Sequence, residues 1–379
     1  MELCVVCGSD TTALIRVESD RISSLSKLHE EGAETFLCQE CSHVQTKVSV
    51  DEANYYADNY QISLKHEDDD QVYDIVAGQP LFRNQHQYNL IIKNNLLNSD
   101  LRILDFGAAK GTIAFKLIQD FGSENIYTYD VSDSYTKFWD SKILKSNQAV
   151  NQLPNSWLGT FDLVLSIFVM EHVSDIKTYI GKVAKLLKKG GSLFAIVPNI
   201  FSNPSDILVS DHPNHFTKSS IVRLLEMNGF ASITINDSSF RGALIVSAIS
   251  RHSNIVSPVN EDEVSAVFKI TKYWQRQKDM LRNFELTNKD KVAIYGAGVY
   301  GLFIYSILKN KIQISNFIDQ NPHLIGEKKY GITIVKPEDL PNEITHVFVG
   351  LNPLIAKKSI EDANVKSNRN INFIFMEEI

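Results

Sequence analysis

Nowhere in the 379 residues does an apolar run approach the roughly 18 needed to cross a bilayer, and no block of lysine and arginine stands out. The first absence argues against a membrane-spanning chain. The second, with 38 Lys and Arg against 45 Asp and Glu and a net charge of -7, leaves a nucleic-acid-binding surface without its usual basic footprint. Small substrates are favoured over polynucleotides. The opening Met1-Glu2-Leu3-Cys4 lacks the basic and apolar regions of a secretory signal, so a cytoplasmic protein is expected. Internal repeats and low-complexity segments are missing as well. What is present, 44% hydrophobic, 22% charged and 10% aromatic residues, suffices for two or three cores and excludes disordered, coiled-coil and fibrous classes.

Cysteine is scarce and confined to one end. All four stand as Cys4-Val5-Val6-Cys7 and Cys38-Gln39-Glu40-Cys41. Two residues between thiolates let one tight turn aim both sulfurs at a single ion, and two such knuckles complete the tetrahedral shell that zinc prefers. The loop between the pairs is longer than in the commonest zinc ribbons. Two disulfides are improbable in a reducing compartment. A structural zinc on Cys4, Cys7, Cys38 and Cys41 is therefore expected, with four unligated buried thiols as the alternative.

Beyond residue 50 the chain is polar and tyrosine-rich, and the acidic run from His66 to Asp70 reads as a solvated loop. Helical spacing runs from Gln79 to Leu97. Strand and helix patterns then alternate: Ile103 to Phe106, a helix from Thr112, Ile126 to Tyr129, a helix near Tyr135 to Leu144, and Phe161 to Phe168. This predicts parallel βαβ units. A helix at Ile176 to Leu187, a Lys-Lys-Gly-Gly turn at 188–191, a strand to Val197 and a closing hairpin at 232–249 follow. A polar linker and a helix from Glu261 to Phe284 lead to a second, smaller α/β alternation. The expected class is α/β, divided as 1–50, 51–250, 251–288 and 289–379.

Asp105-Phe106-Gly107-Ala108-Ala109-Lys110-Gly111 ends a buried strand and opens a helix, where small residues let backbone approach a cofactor. Asp130 ends the next strand, and a carboxylate there can take both hydroxyls of a ribose. A dehydrogenase is the competing reading, but this loop lacks the three-glycine dinucleotide fingerprint. With Phe161 to Ser166, Val169-Met170-Glu171-His172-Val173 and the turn at 188–191, these segments resemble the class I S-adenosylmethionine-dependent methyltransferases. The resemblance implies cofactor contacts from Asp105, Gly107, Ala108, Gly111, Asp130, Val131 and Phe168. It assigns Glu171-His172 to ordering the loop after the fourth strand.

Four-cysteine module, methyltransferase core, Asp211-His212-Pro213-Asn214-His215-Phe216 and a trailing glycine-rich domain at Gly296, Gly298 and Gly301 occur in one order across nearly the whole chain. That order resembles the sugar C-methyltransferases acting on nucleotide-linked keto-deoxysugars. The resemblance implies a dTDP-, GDP- or CDP-linked sugar as partner, no nucleic acid, no membrane, and a monomer or homodimer. Lys110 departs from the family loop, and Asp211-His212 replaces Glu-His. Removing a proton beside a carbonyl suits a neutral imidazole, so His212 is the expected base, with Asp211 orienting it or raising its basicity. Tyr56 or Tyr60 would donate to the enolate oxygen. The bland reading has Thr217 capping the next helix while one histidine merely packs. Gly296 to Gly301, with Asp319 ending the following strand, reads as a fold remnant more than a nicotinamide site. Methylation of oxygen or nitrogen stays open, as does a non-enzymatic scaffold.

Overall fold

In this computed structural model the described residues are 2–10, 12–15, 20–29, 34–47, 70–76, 79–95, 97–251, 260–287, 289–363 and 371–377. The expected Tyr56 and Tyr60, and the acidic run up to Asp69, lie outside them.

The amino-terminal module is built on β1 (Thr12–Ile15), β2 (Thr35–Cys38) and β3 (Val44–Thr46), all antiparallel. Helix α1 (Arg83–Asn94) follows a hairpin of Val72–Val76 with Gln79–Phe82, so the helical spacing expected from Gln79 begins only at Arg83.

Next come β4 (Ile103–Phe106), α2 (Thr112–Phe121), β5 (Ile126–Asp130), β6 (Gln148–Val150), β7 (Phe161–Ile167), α3 (Ile176–Leu186) and β8 (Leu187–Pro198). They are followed by β9 (Asn214–His215), α4 (Lys218–Met227), β10 (Phe230–Asn236) and β11 (Ala243–Ser250). Every residue of β4 is buried, as expected for a strand covered on both faces of a parallel sheet. The seven-stranded sheet has the order β6-β5-β4-β7-β8-β11-β10, with β11 antiparallel to both its neighbours. The order reverses at β4, and in such sheets ligands bind beyond the carboxyl ends of the strands at that switch point.

Two local expectations are corrected. The helix near Tyr135 to Leu144 is only Thr136–Trp139, because Lys142 and Ile143 both donate to the Trp139 carbonyl and close the turn. The Lys-Lys-Gly-Gly segment belongs to β8, where the pairing with β7 shifts register. A Cβ on Gly191 would lie 2.9 Å from the Phe161 carbonyl oxygen.

Helix α5 (Glu261–Asn283) leads to the last unit: β12 (Val292–Tyr295), α6 (Val299–Leu308), β13 (Ile314–Ile318), β14 (Ile332–Val335), β15 (His346–Val349) and β16 (Asn372–Phe375). Its sheet runs in the order β14-β13-β12-β15-β16 with these five parallel, and the two-residue strand Lys328–Lys329 adds an antiparallel edge beside β14. The architecture is thus α/β, a Rossmann-like core with smaller modules on either side in sequence.

The modules share structure. Strand β9 pairs with β3 (His215 opposite Val44), so the core supplies the outer strand of the amino-terminal sheet. Ile207 and Leu208 join one apolar cluster with Ile22 and Val44 of the first module, Trp274 of α5 and Phe303 of α6. The Trp274 indole donates to the Pro204 carbonyl at 2.9 Å. Segment 204–208 is therefore clamped from three sides.

Candidate active site

Gly107 and Ala108 donate from their backbone N–H groups to the Tyr129 carbonyl at 2.8 and 3.0 Å, which folds the bend after β4 against the end of β5. Gly107 has φ +91°, and a Cβ there would lie 2.4 Å from Val169 Cγ2. Glycine is required on both counts. Asp130 closes the bend: one carboxylate oxygen accepts from Ala109 N at 2.8 Å, the other from Ser132 N at 3.0 Å. The Trp139 indole pins the same bend through the Ala109 carbonyl at 2.8 Å.

Asp105 and Asp130 are both buried. Burial, then the nearby Asp130, pushes the Asp105 carboxyl up to about 7, and burial also raises Asp130. With Asp105 partly protonated near neutral pH, the Asp130 carboxylate supplies most of the negative charge at this bend, a charge that suits a cationic ligand. Val131 is exposed at its lip. Phe168, in the left-handed region at φ +56°, is half-buried with the Arg83 guanidinium 4.2 Å over its ring. All seven residues expected to face the cofactor therefore lie on β4, β5, β7 or the turns at their carboxyl ends. Arg83 was not anticipated, since nothing in the spacing before α1 points at β7.

The loop after β7 leads from this bend to a histidine cluster. Val169 packs at Gly107, and three residues later the His172 ring meets that of His212 edge to face at 4.6 Å. His212 donates from Nδ1 to Asp206 at 2.7 Å, and His215 Nδ1 takes the other oxygen of the same carboxylate at 2.7 Å. Burial alone would raise Asp206, but the two imidazoles hold its carboxyl well below the usual range. Burial likewise opposes the His212 imidazolium, and Asp206, Asp211 and Glu171 outweigh it, lifting His212 to about 9.

The expected pairing of His212 with Asp211 is corrected here. Asp211 accepts instead from Ser24 N and Ser24 Oγ at 2.7 and 2.6 Å. It still helps to raise His212, through its charge and not through a hydrogen bond. His215 is fully buried, with Nε2 on Thr46 Oγ1 at 2.9 Å, so it is the histidine that packs. Thr217 caps α4 in a reciprocal box with Ser220. Asp206 was missed because five residues separate it from His212 and no periodicity links the two.

Glu171 is buried, raised to about 8 chiefly by burial, and its Oε2 has no hydrogen-bond partner among the described residues. His172 is pushed down to about 4 by burial and by His212.

The four cysteine sulfurs lie within 4.8 Å of one another, with Cys4 to Cys41 at 3.6 Å and Cys7 to Cys38 at 3.5 Å. Zinc bonds of about 2.3 Å in a tetrahedron imply sulfur separations of about 3.8 Å. The donor set fits zinc, leaves no protein position for a fifth ligand, and would serve structure.

At the second glycine bend, a Cβ on Gly301 would lie 1.8 Å from the Gly296 oxygen, and one on Gly296 would lie 2.3 Å from the Gly350 oxygen. Backbone packing therefore accounts for two of the three glycines. Asp319 accepts from Ala297 N at 2.9 Å.

Residues 81–235, from the hairpin strand before α1 into β10, match the family described as Methyltransferase domain. Among curated proteins, the chain is 29% identical over 150 residues to an uncharacterized protein of Methanocaldococcus jannaschii, covering 40% of this chain and 64% of that protein. It is 30% identical over 107 residues to the mitochondrial ubiquinone biosynthesis O-methyltransferase of Homo sapiens, covering 26% and 29% respectively. The chain thus spans less than two thirds of each of these relatives. Among solved structures, an S-adenosylmethionine dependent methyltransferase from Mesorhizobium loti aligns at 15% identity and TM-score 0.37, over 43% of this chain and 97% of that one.

Proposed function

We propose that this chain transfers the methyl group of S-adenosylmethionine to a carbon of a nucleotide-linked keto-deoxysugar. The observation that carries this reading is the loop after β7: it packs Val169 on the Gly107 bend and sets His172 against His212. A donor pocket and an imidazole are thereby held at the two ends of one short segment. The donor supplies an electrophilic methyl on a sulfonium. Asp130 would take the ribose hydroxyls, while Gly107, Ala108 and Gly111 let the backbone come close, and Val131 and Phe168 wall the pocket.

His212 is the base. Its Nδ1–H is committed to Asp206, so the neutral ring carries its lone pair on Nε2. That nitrogen takes the proton from the carbon beside the carbonyl, leaving the electron pair delocalised onto oxygen. The surrounding carboxylates, which lift His212 to about 9, favour the imidazolium, so the ring must first release its Nε2 proton. Once neutral it is a stronger base than free imidazole, and turnover should rise with pH towards 9. A hydroxyl from Tyr56 or Tyr60 donates to the enolate oxygen. Cys4, Cys7, Cys38 and Cys41 hold a structural zinc, and the sugar nucleotide is a dTDP-, GDP- or CDP-derivative enclosed with the help of the last domain.

Incubation with labelled donor and a panel of nucleotide-linked 4-keto sugars, read by mass spectrometry, tests the assignment. His212→Asn should abolish turnover, a loss of roughly 10²- to 10⁴-fold, with donor affinity nearly unchanged. A fully active variant removes His212 from the mechanism. Similarity to a ubiquinone O-methyltransferase favours a second reading, in which oxygen or nitrogen of a small metabolite is methylated. Carbon NMR of the labelled methyl separates the two.

A further inference from the structure

Asn214 ties down the turn after β7, Met170–His172: its side-chain amide donates to the Met170 carbonyl at 3.1 Å and to the Val173 carbonyl at 2.7 Å. Those bonds order the loop through its backbone. The Glu171 side chain at the centre of the turn is 1% exposed, and its Oε2 has no hydrogen-bond partner among the described residues. A carboxylate buried in that way is costly unless a cation faces it or a proton neutralises it. A carboxylate oxygen of Glu171 and a ring nitrogen of His212 lie within 4.8 Å of each other. One water, or a turn of the carboxylate, closes that gap.

His212 donates its Nδ1–H to Asp206 at 2.7 Å, so the proton its imidazolium must shed before it can act as base is the one on Nε2. Asp206 is already engaged, since both its oxygens take imidazole nitrogens at 2.7 Å. Asp211 is held by Ser24, and His172, pushed down to about 4, is a poor acceptor. Glu171 remains among the described residues. The groups that face it are His212, Asp206, the Arg83 guanidinium and the Tyr179 hydroxyl. Those that face His212 are Asp206, Asp211, Glu171, His172 and His215. Burial lifts Glu171 to about 8 and the carboxylates lift His212 to about 9, so passing a proton from the ring to the acid is disfavoured by only about tenfold.

We propose that Glu171 is the proton acceptor that turns His212 into a neutral base, the two buried groups working as one pair. The imidazolium Nε2–H bond breaks and a carboxyl O–H bond forms, which converts an ion pair into two neutral groups with no change of total charge. Nε2 then takes the proton from the sugar carbon, whose electron pair passes onto the carbonyl oxygen. That pair returns to carbon as the carbon attacks the methyl group, and the C–S bond breaks with its electrons left on sulfur. The Glu171–His212 pair ends one proton richer and yields that proton to solvent as product leaves. Glu171 acts through His212 and does not touch the sugar. The proton transfer rests on the reading of His212 as base; the pairing of the two groups does not.

The test uses the full chain, its cysteines loaded with zinc and its histidines labelled with ¹⁵N, titrated by NMR, with His212→Asn identifying the His212 signals. The wild-type ring should titrate near 9. Glu171 is ionised there and holds the ring's proton, so Glu171→Gln should lower the midpoint by at least about 0.5, a threefold loss of proton affinity. The rising limb of the pH profile for methyl transfer should move to lower pH with it, and the plateau kcat should fall at least about tenfold. Glu171→Asp, which keeps the charge on a shorter arm, should recover part of both, and thermal melting shows which variants are folded. A wild-type midpoint in folded Glu171→Gln overturns the pairing; if that variant does not fold, a wild-type midpoint in Glu171→Asp overturns it instead. A lowered midpoint with an unchanged plateau kcat overturns the proton transfer. If no sugar nucleotide is methylated, the reading of the reaction fails and takes the transfer with it, while the His212 titration still decides the pair.

Discussion

Asp206 and His212 share a 2.7 Å hydrogen bond, and the second oxygen of that carboxylate is equally close to His215. One buried acid thus holds the candidate base on one side and, on the other, a histidine that belongs to the strand completing the amino-terminal sheet. Asp206 is accordingly a positioning residue. Asp206→Asn should lower kcat by about 10²-fold with little change in donor Kd. An equal weakening of donor binding would mean that the variant has disturbed the fold and not the alignment of His212.

Gly107 is a sharper probe of the donor bend. Alanine there meets Val169 Cγ2 at 2.4 Å and must adopt φ +91°, a conformation costing of order 1–3 kcal/mol. Gly107→Ala should therefore lower Tm and weaken donor binding together. Alanine at Gly122, whose Cβ would meet nothing within 4 Å, controls for the left-handed backbone alone. Equal losses in the two variants would show that the Val169 contact is unimportant.

How much of this was legible in advance follows from which contacts are local. Strands such as Ile103–Phe106, apolar on both faces, announce a parallel sheet, and the bend at Gly107 with Asp130 one strand later carries its own spacing signal. The link from Asp206 to His212 has no such signature, because it depends on how segment 204–208 is clamped by Trp274 and the first module. Asp211, adjacent in sequence, was the natural partner, yet the turn aims its carboxylate at Ser24. The two-residue strand Asn214–His215 was equally invisible: its pairing with Val44 is set by tertiary packing, since two residues cannot show a period.

The Asp105 carboxyl gives a pH test with a definite sign. Its folded pKa, about 7, stands above the ordinary 3.8, so the native state retains a proton that the unfolded chain releases. Below pH 4 both states are protonated and no cost arises. Between pH 4 and 7 the cost grows at up to about 1.4 kcal/mol per pH unit. Asp105→Asn should gain Tm relative to wild type across that window, measured by calorimetric melting at pH 4, 5.5 and 7. A constant Tm difference would contradict the burial argument.

Metal analysis should find about one zinc per chain on the four-cysteine cluster. Cys38→Ser should lose it and lower Tm. Because β9 is the outer strand of that module's sheet, methyl transfer should decline before the core unfolds. A reduced, folded wild-type preparation without zinc would refute the metal assignment.

The central claim is that the bend closed by Asp130 binds the methyl donor. Isothermal calorimetry of the wild type and Asp130→Ala with S-adenosylmethionine addresses it directly. The account predicts saturable heat for the wild type and affinity reduced at least about tenfold in the variant, which loses charge-assisted hydrogen bonds. No heat from the wild type, or identical isotherms for the two proteins, would contradict it.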